Sequence, residues 1–95
     1  MLGTVDFLKM LKESNGDCSD YRVAKLLGVT TAAVCKWTKK ESGMSSKTGL
    51  KVAKLLSIDK EFVLLCLIAE RQKDSASKEV LEHICERLKP ENLAA

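Results

Sequence analysis

Four cysteines and one histidine are the residues of this chain best suited to hold a metal or carry redox chemistry, and their spacing argues against both. Cys18, Cys35, Cys66 and Cys85 stand 17, 31 and 19 residues apart, and His83 lies two residues from Cys85 with no further ligand near it in sequence. Zinc takes about four ligands, which usually arrive in close pairs. The chain opens "MLGTVDFLKM", without a basic leader, an apolar stretch and a small-residue cleavage site. Unpaired thiols behind such a start are expected in a reducing cytoplasm, where cysteine behaves as a small hydrophobe. There is no nucleophile motif, phosphate loop or metal cluster, so no catalysis is expected, and no cofactor or small-molecule ligand is evident.

A second chemistry is offered by cations mixed with hydroxyls. "TTAAVCKWTKK" (30–40) and "SSK" (45–47) carry ammonium groups that attract phosphate and hydroxyls that bond to it. The net charge is only +3, but residues 1–60 hold 11 Lys/Arg against 6 Asp/Glu, while residues 61–95 hold 5 against 7. The basic end is therefore the end that contains these stretches, which suits a nucleic-acid surface there. The longest apolar run, Phe62–Ala69, has eight residues, and a spanning helix needs about 20, so no membrane span is expected.

The elements that must position these groups all read as helices. Thr4–Glu13 places Val5, Leu8 and Leu11 on one face, flanked by Phe7, and "SNGD" (14–17) ends the run with Gly16 in a left-handed turn. Ser19 caps a helix of about eight residues with Asp20 in its first turn. Gly28 stops that helix, and Thr30 caps the next, which runs to about Lys40. After the polar loop 41–46, either Ser45 or Ser46 caps a helix to Leu56. Gly49 inside that helix costs about 1 kcal/mol relative to Ala, which suggests a close backbone approach. Asp59 caps a fifth helix to about Gln72. "KDSAS" breaks the chain before a last helix whose stripe is Val80, Leu81, Ile84, Cys85 and Leu88, followed by a frayed tail. "YRVAKLLGV" (21–29) is echoed by "LKVAKLLSI" (50–58), which marks two equivalent helices. No third copy follows, so this is not a solenoid.

Within Asp20–Trp37, Val23, Ala24, Leu27, Val29, Val34 and Trp37 are apolar, and small residues occupy both places where two steeply crossed helices must approach, at Ala24 and Gly28. This is helix-turn-helix spacing, and "LLGVTTAAVCKW" resembles the helix-turn-helix of lambda-repressor-like (Cro/C1, Xre) regulators, with a general similarity to short phage-encoded regulators. The resemblance covers about residues 4–70. It implies a compact five-helix lambda-repressor-like DNA-binding domain in residues 1–72, with its reader pair at about 20–40; the helical pattern adds a C-terminal helix and tail in 73–95 and makes the whole chain all-α. The partner the resemblance implies is double-stranded DNA, read in the major groove by a phage-type repressor. If Val34 and Trp37 face inward, the helical wheel turns Thr31, Ala32, Cys35 and Lys36 outward, and Thr31, Ala32 and Lys36 become the candidate base contacts. Thr30, Trp37, Lys39, Lys40, Ser45, Ser46 and Lys47 are the candidate phosphate contacts.

The second copy of the repeated phrase runs into "FVLLCLIA", apolar all round for two turns, so both sides of that helix should be buried. One side can pack on the domain core. The other is expected to meet a second copy of the chain through Leu64, Leu67 and Ile68, with Ile84 or Leu88 from the last helix. That last helix either covers part of this side within the chain or joins the dimer contact. The alternative to a DNA-binding homodimer is a helix-turn-helix adaptor or antitoxin whose target is a protein.

Overall fold

The computed structural model describes residues 2–90 and contains, among these, six helices and no strand. They are α1 (Thr4–Ser14), α2 (Asp20–Leu27), α3 (Thr31–Thr38), α4 (Ser46–Leu56), α5 (Lys60–Arg71) and α6 (Ser75–Leu88). The expected frayed tail lies, from residue 91 on, outside the described residues.

Local chemistry sets most helix starts. Ser19, Thr30, Ser45 and Asp59 each stand at the N-cap with extended backbone, and their side chains accept from Arg22, Ala33, Thr48 and Glu61 N–H respectively. Each satisfies one of the amide donors that a helix start leaves without a partner. Of the two serines open for α4, Ser45 is the cap and Ser46 the first helical residue. Asp74 caps α6 by accepting from both the backbone N–H and the hydroxyl of Ser77, at 2.9 and 2.7 Å.

The repeated phrase is repeated structure, down to its stop. Gly28 and Ser57, which align in the two copies, are both left-handed C-cap residues, with φ of 69° and 56°. The closing hydrogen bonds match as well. Val29 N–H reaches Ala24 C=O at 3.0 Å in the first copy, and Ile58 N–H reaches Ala53 C=O at 3.0 Å in the second. This double closure satisfies carbonyls that the helix end leaves open. Ser57 adopts the left-handed conformation without glycine's freedom, at a cost of about 1 kcal/mol. Only beyond the stop do the copies diverge, the first into an eight-residue helix with an exposed face and the second into α5.

One core joins the elements. Phe7, Leu8 and Leu11 of α1 meet Val23, Ala24 and Leu27 of α2, Val34 and Trp37 of α3, and Val52 and Ala53 of α4. Phe62, Val63, Cys66, Leu67 and Ala69 of α5 complete it, with Met44 entering from the α3–α4 loop. Gly49 does what its position inside a helix suggested. A Cβ built on it would stand 2.5 Å from Leu67 Cδ1, so the bare backbone is what lets α4 and α5 close on each other. Lys51 of α4 adds a polar tie, its ammonium donating to the Leu27 carbonyl at the end of α2 across 3.0 Å.

Of the two places open to the last helix, it takes the one within the chain: α6 packs along α5 and covers much of its second apolar side. One residue there corrects an expectation. Leu67, expected at a partner surface, has no exposed surface at all, because it fills the space that Gly49 leaves open. Val80, placed by its spacing on the inner stripe of α6, is instead 60% exposed. Cys66 and Cys85 are buried against one another between α5 and α6, and all four thiols are free. Burial pushes the Cys66 thiol up, the neighbouring Cys85 adds to the shift, and Cys85 is raised by burial too. Both are small hydrophobes held in the unreactive thiol form.

Candidate nucleic-acid interface

The α2–α3 pair presents one face of α3 outward. Val34 and Trp37 are buried, while Thr31, Ala32, Cys35 and Lys36 are exposed, which is the division the helical wheel requires. Thr30 is exposed, and its oxygen holds the Ala33 amide at 3.1 Å, leaving its O–H as the free end of the group. The first turn of α3 carries only short side chains, Thr31, Ala32 and Ala33. Lys36, one turn further along, carries the positive charge.

α3 stops at Thr38, two residues short of the expected end at Lys40. The reason is local: Lys40 takes φ of 62°, and its N–H and that of Glu41 turn back to Trp37 and Lys36 carbonyls at 3.0 and 2.9 Å. Lys39 and Lys40 therefore stand on a turn, exposed, just past the end of α3, with Lys40 lining a cleft beside Trp37, Thr4 and Glu70. The loop then leads to Ser45, Ser46 and Lys47, all exposed at the first turn of α4, where the helix's open amide groups favour an anion. Among the described residues, no carboxylate forms an ion pair with Lys36, Lys39, Lys40 or Lys47. Their charge is thus available to an external anion.

Trp37 takes the inward place the helical wheel gives it: it is only 4% exposed and belongs to the core under α3, which leaves at most the edge of its indole for the phosphate contact also expected there. An indole with that much apolar surface is more stable sealed against its neighbours than offered to water. Ile68 is 37% exposed, and Leu64, Ile84 and Leu88 are half-buried, so of the five residues expected at a partner contact only Leu67 is wholly withdrawn.

Two features were not legible in the sequence. Tyr21, in the first turn of α2, is 59% exposed, and Lys25 Nζ lies 5.0 Å from the centre of its ring. With Arg22 also exposed, the start of α2 offers a phenolic O–H and a guanidinium to an anion. The available signal was the repeat alignment: Tyr21 overlies Leu50, which is exposed as well, at 44%. The other feature is a hydrogen-bonded clasp that joins Thr4, Met44, Glu70 and Arg71, residues too far apart in sequence for any spacing rule to pair.

No group of three or more His, Cys, Asp or Glu side chains that could hold a metal occurs among the described residues, and no helix there is long and apolar enough to cross a membrane. Compared with known protein families, curated proteins and solved structures, the chain matches none.

Proposed function

We propose that this chain is a sequence-specific double-stranded DNA-binding transcriptional regulator. In this reading it has a lambda-repressor-like helix-turn-helix domain, α3 enters the major groove, and two copies bind a two-fold operator as a phage-type repressor does. The observation that carries the proposal is the exposed face of α3. Thr31, Ala32 and Lys36 stand outward over a buried Val34 and Trp37, and cations free of ion pairs among the described residues flank them at Lys39, Lys40 and Lys47. Such a face can bring a threonine hydroxyl or methyl, an alanine methyl and an ammonium to base edges while the flanking cations hold phosphates.

Selection of bound duplexes from a random DNA pool tests it. The expected result is an enriched pair of inverted half-sites about 10 base pairs apart, the spacing that sets two readers on one face of the duplex. A pool that shows no enrichment, with weak binding to random DNA that salt abolishes, would favour the adaptor or antitoxin instead.

Lys36→Met follows from the same geometry. It is expected to cost about 1–3 kcal/mol per half-site on the best operator and to relax preference at one base position. The melting temperature of the free protein should be unchanged, because Lys36 is exposed. Equal losses on operator and random DNA would reduce Lys36 to a phosphate contact.

The dimer in this proposal uses what remains open on α5 and α6: Ile68, with Leu64, Ile84 and Leu88 around it. A single reader covers too few base pairs to find one site in a genome, so symmetry supplies the rest. Ile68→Asp is expected to remain folded, to sediment as a monomer and to bind the operator less tightly than the wild type. Sedimentation of the wild type as a monomer at tens of micromolar, both free and on DNA, would remove the dimer from the reading.

A further inference from the structure

Thr4 opens α1, Met44 lies in the loop between α3 and α4, and Glu70 and Arg71 close α5. Four hydrogen bonds join them. Glu70 Oε1 accepts the Thr4 N–H at 2.9 Å, and Glu70 Oε2 accepts the Thr4 hydroxyl at 2.6 Å. Thr4 Oγ1 in turn accepts the Met44 N–H at 3.0 Å, and Arg71 Nη2 donates to the Met44 carbonyl at 2.7 Å. Both backbone groups of Met44 are therefore held by side chains from other elements.

The directions in this chain of bonds are determined. A carboxylate only accepts, so the Thr4 hydroxyl must spend its single proton on Glu70 and present its lone pairs to Met44. Two glycines make room. A Cβ on Gly3 would come within 2.7 Å of Glu70 Oε1, and one on Gly43 within 3.1 Å of Oε2 and 3.2 Å of Thr4 Oγ1. Neither residue has a left-handed φ, so what these positions need is closeness. The residue after Met44 is Ser45, the cap of α4, and Ser46 and Lys47 follow it into solvent.

We infer that Thr4 and Glu70 are positioning residues: through Met44 they hold the α3–α4 loop so that Ser45, Ser46 and Lys47 can meet a phosphate beside the groove that α3 enters. This rests on the DNA-binding reading above. The Met44 side chain, 1% exposed, already anchors the loop to the core by burial. The clasp adds orientation, because it fixes the peptide groups on either side of Met44 and hence the direction in which the next residue leaves.

Thr4→Val, Thr4→Ser and Glu70→Gln test this. Valine keeps the shape and removes the hydroxyl, leaving the Met44 N–H without its partner, whereas serine keeps the hydroxyl and loses the methyl. The first readout is the salt dependence of binding to the selected operator, at a temperature where circular dichroism finds every variant folded. Thr4→Val and Glu70→Gln are expected to flatten the log–log slope by about 3 units, the loss of one or two phosphates per protomer, and to weaken binding about tenfold to a hundredfold at moderate salt. Thr4→Ser should restore the wild-type slope. A role in packing alone predicts the opposite ranking: serine worse than valine, and the slope unmoved.

The second readout needs no DNA. Amide exchange at Met44 and Thr48, followed by NMR, should quicken in Thr4→Val and Glu70→Gln and stay at the wild-type rate in Thr4→Ser. Wild-type exchange in Thr4→Val, or a wild-type salt slope, overturns the inference. If the wild type itself shows no salt-dependent DNA binding, the functional reading falls and the phosphate role of the clasp with it, while Met44 exchange still decides whether Glu70 and Thr4 hold the loop.

Discussion

Leu67→Asp is expected to leave the chain without a cooperative fold. Leu67 is fully buried and lies against the bare backbone at Gly49, on the helix that α4 and α6 grip from two sides. A carboxylate at that position would have no water and no cation. The cost of an unpaired buried charge is several kcal/mol, to be set against a total stability of about 5–15 kcal/mol for a domain. Protonating the carboxyl removes the charge, but a buried polar group then stands without partners where the leucine side chain filled the space. Leu67→Ala grades the effect: about 2–5 kcal/mol, which lowers the melting temperature by about 10–30 °C in a domain of this size. Urea titration followed by circular dichroism measures both. The sequence pattern alone puts Leu67 at a partner surface, where Asp would give a folded monomer. A folded Leu67→Asp protein with near wild-type melting would return it there and overturn the α4–α5 packing.

The second large effect is expected in salt. If each protomer uses about four phosphate contacts, drawn from Lys36, Lys39, Lys40, Lys47 and the hydroxyls of Thr30 and Ser46, a dimer neutralises about eight, and the log–log slope is about −7. Between about 50 and 200 mM salt the affinity should then fall by about 10⁴-fold. Lys40→Ala should weaken every duplex alike and flatten the slope by about one or two units. Alanine is the informative replacement because Lys40 holds φ of 62°: Ala bears much the same left-handed strain as Lys. Glycine would relieve it and mix a stability gain of about 1 kcal/mol into the measurement. Titrations across salt by fluorescence anisotropy read the slope directly, and a slope near zero sinks the DNA reading.

What could be read from the sequence was whatever is settled within a few residues. Ser19, Thr30 and Asp59 cap their helices because a side-chain oxygen bonds to an amide two or three positions on, and such a bond is visible as spacing. Gly16 and Gly28 turn left-handed for an equally local reason. The outward face of α3 was legible too, since an amphipathic helix declares its phase by the period of its apolar residues. α5 declares none. "FVLLCLIA" is apolar on every side, so nothing in it distinguishes Leu67, which is sealed, from Ile68, which is open. That choice belongs to α4, which approaches closely at Gly49, and to α6, which brings Cys85 against Cys66. The clasp lay furthest out of reach. Thr4 and Glu70 are 66 residues apart, and a hydrogen bond acts only over about 3 Å, so no local pattern could announce it. Tertiary packing decided each of these, because burial and long-range hydrogen bonding are set by which surfaces meet.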